Sequence, residues 1–274
     1  MLKFYLFEAG ASKTTFVKVL DQGTEEMILP PFNANRDFTE FADAVQNQIE
    51  IEKGAIIYFY GSGCGNDENK MKVRELFAIR EPSKLEVHDD IIAAAHSSFR
   101  NEPGVITILG TGGVAAFFDG EIIKQRRGGY GYLLGDLGGG LELGKKFINL
   151  WLNGDLSQKA EGILKDKLGL DKKTFVQQYY LDKDISLPSN LTPFVLQFEY
   201  EDSVERMLEH YFNEFVEFNV LPLCKVEGVS SFSAVGSIAY YFKHHLEKAA
   251  KSFGLELTES TQDPIKGLLA FHNL

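Results

Sequence analysis

Cysteine is scarce: Cys64 and Cys224 are the only two in 274 residues. Two thiols supply neither a disulfide framework nor a zinc-finger ligand set, and Cys64 is expected as a small buried residue. No apolar run approaches the roughly 18 residues that a membrane-spanning helix needs, so no membrane partner is expected. The opening MLKFYLFEAG lacks the apolar core and small-residue cleavage site of a secretory signal, and the cytoplasm is the expected compartment. Positive charge is also short, with 28 Lys and Arg against 39 Asp and Glu, a net charge of −11. The densest basic stretch is Lys124, Arg126 and Arg127. Nucleic acid is therefore not an expected partner, because that affinity comes from neutralising phosphates. A small phosphorylated ligand is not excluded, since backbone N–H groups and one lysine are enough to hold it. The six histidines show no metal-ligand spacing, and the pair His244-His245 is expected to face solvent. Both standard phosphate signatures are missing: there is no G-x-x-x-x-G-K-[ST], and no G-x-G-x-x-G opens a helix after the first strand.

What is present is a repeated alternation of apolar strand-like runs, small-residue turns and helical stretches. Residues 2–8 read as a strand, 14–20 as its hairpin partner, and EEMILPPF as a third strand. Phe38, Phe41, Val45 and Ile49 recur at helical spacing over 38–51. AIIYFYGSG, KLEVHD and GVITILGTGG read as strands, with helices over 68–80 and DIIAAAHSSF between them. AAFFDGEIIKQ reads as a hairpin turning at Asp119-Gly120, followed by a helix over about 140–153. Residues 155–218 are mostly helical in pattern, VEGVSSFSAVGS returns to a strand and turn, and helices follow over 238–252 and in PIKGLLAFH. This order implies an α/β protein built of mixed sheets covered by helices.

Three turns stand out, EAGASKT, GTGG and VGS, each following an apolar run. Glycine lets the backbone approach a ligand, and turn N–H groups can face an anion. A single such turn is as well explained as a structural corner. His88-Asp89 falls at a strand end before an alanine-rich helix. Asp89 there is either a helix cap or a general base at the carboxyl edge of a sheet, where ligands of α/β proteins sit. Asp136, in LLGDLGGG, is either a turn residue or a second functional acid. Trp151 and the tyrosines and phenylalanines of 198–218 are expected in the core.

The order of these segments is more specific than any one of them. EAGASKT, YFYGSGCGNDENK, HDDIIAAA, EPGVITILGTGG, DGEIIKQRRGGYGYLLGDLGGG, LGKK, VGSIAYYF and PIKGLLAFH together resemble the N-acetylglucosamine kinase family, with the related BadF/BadG-type ATPases, in the actin-like sugar-kinase superfamily. The resemblance runs over nearly the whole chain. It implies two actin-like (ribonuclease H-like) domains with a cleft between them. One would comprise residues 1–114 joined by the C-terminal helix at about 262–274, the other residues 115–261. It implies an ATP-dependent transfer of phosphate, with Mg²⁺, to O6 of N-acetylglucosamine or a related amino sugar or hexose, and it is compatible with a homodimer. By position, Gly10, Ser12, Lys13 and Thr14 match the first phosphate turn, and Gly110, Thr111 and Gly112 the second. Gly236 and Ser237 match the adenosine-side turn. Asp89 matches the base that takes the proton of the sugar hydroxyl. Asn33, with Asn35 as the alternative, Thr111, Tyr130 and Asp136 match the sugar side, and Glu8 stands where the family has an aspartate that helps hold Mg²⁺.

The match departs from the family inside its motifs. Glu8 carries one methylene more than that aspartate. Gly113 and Val114 replace a serine and an asparagine, and Leu137 and Gly139 replace an acid and a serine. Besides a kinase, the sequence thus admits a sugar- or nucleotide-binding regulatory protein that kept the fold. A BadF-type activator would need cysteine ligands for an iron–sulfur cluster, which Cys64 and Cys224 do not obviously form.

Overall fold

The computed structural model describes residues 3–131, 133–182 and 186–274. Leu2 of the expected first strand, Tyr132 of the glycine-rich segment and residues 183–185 of the expected helical stretch lie outside the described residues. The chain forms two compact units: Met1–Glu102 with Gly120–Ile122 and Pro264–Leu274, and Pro103–Asp119 with Ile123–Asp263.

In the first unit β1 (Phe4–Ala9), β2 (Thr14–Val19) and β3 (Thr24–Leu29) form an antiparallel meander. After α1 (Thr39–Asn47), β4 (Ile56–Gly61) pairs parallel with β1, and after α2 (Asp67–Ala78), β5 (Lys84–Asp89) pairs parallel with β4. The helix α3 (Asp90–Phe99) follows. The five-stranded sheet has the order β3-β2-β1-β4-β5. β1 and β4 lie inside it, and helices cover both faces, so these two strands read as nearly continuous apolar runs. Tyr5, Phe7, Phe16, Phe41, Phe59 and Phe77 pack on one face, with ring centroids of Phe7 and Phe16 4.9 Å apart.

The second unit repeats this plan. It begins with β6 (Gly104–Leu109), β7 (Gly113–Phe118) and β8 (Ile123–Gly128), again an antiparallel meander. The helices α4 (Gly140–Asn153), α5 (Gln158–Leu168), α6 (Lys172–Asp182), α7 (Leu187–Asn190), α8 (Thr192–Gln197), α9 (Asp202–Phe215) and α10 (Leu221–Glu227) come next. Then β9 (Ser231–Val235) pairs parallel with β6 and, after α11 (Ser237–Tyr241) and α12 (Lys243–Ser252), β10 (Glu256–Thr261) pairs parallel with β9. The sheet order, β10-β9-β6-β7-β8, has the topology of the first, strand for strand. The expected boundary at 114/115 moves to Glu102–Pro103, because β6 takes its ladder partners from β7 and β9.

Trp151, Tyr211, Phe212 and Phe215 are buried in the second core, as expected, but Tyr200 and Phe218 are 75% and 54% exposed. A π-turn over Val216–Val220 precedes α10. Pro222 has no N–H for the carbonyl of Phe218, and Arg127 Nε donates to that oxygen instead at 2.8 Å. The expected helix 238–252 divides at Phe242, whose backbone leaves helical geometry.

The last helix, α13 (Ile265–His272), belongs to the first unit. Gly267 lets it approach α3, since a Cβ there would lie 2.5 Å from the Ser97 carbonyl oxygen. Tyr60 Oη sits 3.0 Å from His96 Nδ1 and 2.9 Å from His272 Nε2. His272 stacks on Tyr58 with centroids 3.6 Å apart, and His96 on Phe271 at 4.0 Å. Burial pushes both histidines down to about 4, with the charge of His88 acting in the same direction on each. Among the described residues no helix is long and apolar enough to cross a membrane.

Candidate functional site

In the first unit, the candidate residues gather at the carboxyl ends of β1, β4 and β5, the edge at which α/β sheets bind ligands. Glu8 is half-buried near the end of β1. The turn after it is closed by Gly10 N–H donating to the Lys13 carbonyl at 3.0 Å, and it exposes Ser12 and Lys13. Thr14 is fully buried at the start of β2, and its hydroxyl makes no hydrogen bond. Two backbone bonds tie this turn to its surroundings: Phe32 N–H donates to Gly10 O at 3.0 Å, and Ser62 N–H to Ala9 O at 2.8 Å.

Asp89 ends β5, is 7% exposed and stands at the N-cap position of α3. Its carboxylate does not accept a capping hydrogen bond, so the cap reading of this residue does not hold. A Cβ on Gly65 would lie 3.2 Å from Asp89 Oδ2, which marks how closely the β4–α2 loop approaches the carboxylate. Beside it, burial pushes the Cys64 thiol up to about 12, and the charges of Asp89 and Asp90 add to this. That thiol stays protonated and is no nucleophile.

Asn33 and Asn35 both enter this neighbourhood. Asn33 Oδ1 accepts the Asn35 N–H at 2.9 Å, and its Nδ2 faces Ser62 Oγ at 3.4 Å. Asn69 Nδ2 donates to Asn35 Oδ1 and to Gly63 O, each at 2.8 Å, and Lys72 Nζ donates to Asn69 Oδ1 at 2.8 Å. Gly63 has φ +79°, and a Cβ there would meet both asparagine side chains. Ser62, Gly63, Asn69 and Lys72 carry no motif of their own in the sequence. Their signal was the density of polar residues in YFYGSGCGNDENK directly after a buried strand.

In the second unit, Gly110, Thr111 and Gly112 form the β6–β7 turn, topologically equivalent to the turn at Gly10. Gly110 N–H donates to Gly112 O at 3.1 Å. The loop containing Asp136 lies directly on this turn. A Cβ on Gly112 would sit 2.8 Å from Asp136 Oδ2, and Gly131 N–H donates to Asp136 Oδ1 at 3.0 Å. A Cβ on Gly113 would overlap the Leu137 carbonyl oxygen, and one on Gly139 would overlap the backbone of Gly112. Gly113 and Gly139 are thus places where two backbones touch. Gly140 and Leu141 donate their N–H groups to Gly110 O and Thr111 O at 2.8 and 3.0 Å. The first amides of α4 therefore fasten the turn. Tyr211 Oη closes the assembly with a 2.6 Å bond to Gly139 O.

Gly236 has φ +120°, and a Cβ there would overlap the Leu109 carbonyl oxygen, so the β9–α11 turn packs on the end of β6 beside Gly110. Ser237 opens α11. Leu137 packs against the core of the second unit. Tyr130 is 67% exposed, and no described contact joins its side chain to these turns.

Two five-stranded mixed sheets of one topology, each with glycine turns at the carboxyl ends of its central strands, define an actin-like fold. Among solved structures, a Porphyromonas gingivalis protein named "Putative N-acetylglucosamine Kinase" has a TM-score of 0.87 with 24% identity, covering 99% of this chain and 98% of that one. A ROK family glucokinase from Streptomyces griseus, in complex with glucose and AMPPNP, has a TM-score of 0.58 with 13% identity, covering 99% and 98%. The N-acetyl-D-glucosamine kinase of Dictyostelium discoideum is 30% identical over 125 residues, which span 44% of this chain and 35% of that protein. No family model matches the chain.

Proposed function

We propose that this chain is an ATP-dependent sugar kinase that transfers the γ-phosphoryl group to O6 of N-acetylglucosamine or a related amino sugar. The observation that carries the proposal is Asp89, a buried carboxylate at the carboxyl edge of the sheet that does not cap its helix. In this role Asp89 accepts the proton of the attacking hydroxyl as the oxygen–phosphorus bond forms. Asn33 and Asn35, held by Ser62 and Asn69, supply amide donors and acceptors suited to sugar hydroxyls. Thr111 and Asp136 take the sugar side of the second unit, and Tyr130, an exposed ring in the same glycine-rich segment, would reach the sugar from there. The turns at Gly10, Ser12, Lys13 and Thr14 and at Gly110–Gly112 would cradle the phosphates, and Gly236 and Ser237 the adenosine. Phosphoryl transfer asks mainly for such positioning and charge neutralisation.

A divalent cation fits the first turn in kind: Glu8 offers half-buried carboxylate oxygens, one of which would lie 3.8 Å from a Cβ on Gly10, and Mg²⁺ prefers oxygen ligands. When bound with ATP, it neutralises charge on the phosphate oxygens. A second reading, a sugar-sensing protein that kept the fold, is favoured by Leu137, whose side chain goes to the core where the family carries an acid.

The deciding experiment is coupled ADP release with Mg-ATP and N-acetylglucosamine, wild type against Asp89→Asn. Sugar-dependent turnover near ordinary kinase rates of about 1–100 s⁻¹, lost in the variant, supports the kinase. Sugar binding by calorimetry without ATP binding or turnover supports the sensor.

A further inference from the structure

Outside the catalytic candidates, one cluster among the described residues has ligand geometry that the kinase reading does not use. Glu199 lies between α8 and α9, and His244 and His245 form part of the first turn of α12. His245 is buried, against expectation, while His244 is about half exposed. His245 Nε2 lies 3.2 Å from Glu199 Oε2, and His244 Nε2 lies 3.6 Å from the same oxygen. One ligand atom from each residue falls within 4.8 Å of the others.

A lone ion pair explains only part of this. The contact to His245 is a hydrogen bond, but the one to His244 is too long to be one. The two imidazoles are also crowded, with ring centroids 3.8 Å apart, and two protonated rings there would repel. Ligands about 2.1 Å from a tetrahedral zinc ion stand about 3.4 Å from each other, between the two observed distances. Both rings are held by aromatic neighbours: Tyr200 stacks on His244 at 6.0 Å, and Phe212 lies parallel to His245 at 6.2 Å. The nearby lysines of α12 are engaged elsewhere, Lys243 with Glu247 and Lys248 with Glu209. The segment Glu199–Glu205 adds Glu201, Asp202 and Glu205, which favours a cation.

We infer that Glu199, His244 and His245 form a binding site for a divalent transition-metal ion of the Zn²⁺ class, with two imidazole nitrogens, one carboxylate oxygen and a solvent-facing position beside His244. The ion would tie the start of α12 to the α8–α9 connection. The assignment is independent of the kinase reading.

The test is titration of the purified 274-residue chain with Co²⁺, whose visible d–d absorption reports coordination, followed by displacement with Zn²⁺. One equivalent is expected to bind with tetrahedral-type bands that Zn²⁺ abolishes. His244→Gln, at a half-exposed position that should leave the fold intact by circular dichroism, should weaken binding at least tenfold. Glu199→Gln should do the same. Absence of the bands in the wild type, or unchanged binding in a folded His244→Gln, would overturn the site.

Discussion

Acid should loosen the first unit through His96 and His272, and the size of the effect follows from their burial. Both have folded pKa values of about 4, below the unfolded value near 6.5. The folded state therefore resists protonation. Stability is full above the unfolded value and falls as pH drops from there towards the folded value. The limiting slope is about 1.4 kcal/mol per pH unit for each group. At pH 5, a group moving between these values costs about 2 kcal/mol. The charge of His272 also disfavours protonation of His96, and both rings are incompletely buried, so the pair should cost about 2–3 kcal/mol in place of the doubled figure. That is a large share of a typical domain stability of about 5–15 kcal/mol.

Urea unfolding followed by circular dichroism at pH 7.5 and 5.0 measures the loss. Amide exchange in β4 and α13, corrected for intrinsic rates, assigns it to the first unit. His96→Asn with His272→Gln keeps hydrogen-bonding atoms near Tyr60 Oη but cannot titrate. The double variant should lose most of the pH dependence while His88, His245 and the carboxylates remain. If it shows the same drop between the two pH values as the wild type, the assignment to this cluster is wrong.

Other outcomes follow from single contacts. Gly113→Ala should destabilise the second unit by about 1–3 kcal/mol, because its methyl would overlap the Leu137 carbonyl; chemical denaturation monitored by Trp151 fluorescence reads this. Tyr211→Phe removes the buried donor to Gly139 O and should cost about 1–3 kcal/mol by the same assay. Asn69→Ala leaves Asn35 Oδ1 and Gly63 O without this donor; it should raise KM for the sugar more than it lowers kcat, measured by coupled ADP release. Asp89→Asn, by contrast, should abolish turnover while leaving calorimetric sugar binding within a fewfold of wild type.

Local patterns settled much of the architecture. The alternating apolar runs, Asp119-Gly120 and the alanine-rich DIIAAAHSSF correspond to β1–β8 and α3 because strand, turn and helix preferences act over a few residues. The order of the glycine turns and the location of Asp89 at a strand end were legible for the same reason. Contacts between distant segments were not. Asn33 and Ser62 meet across 29 residues, and Asn69 and Asn35 across 34, only because β1 and β4 pair in one register. Gly113 and Gly139 look like lost serines in the sequence; the second sheet reveals them as the place where two turns touch. His244 and His245 carry no ligand spacing of their own, and the third member, Glu199, lies 45 and 46 residues away. Chain periodicity encodes which face of an element is apolar, whereas the partner that face meets is decided by strand register and helix packing, which no single segment contains.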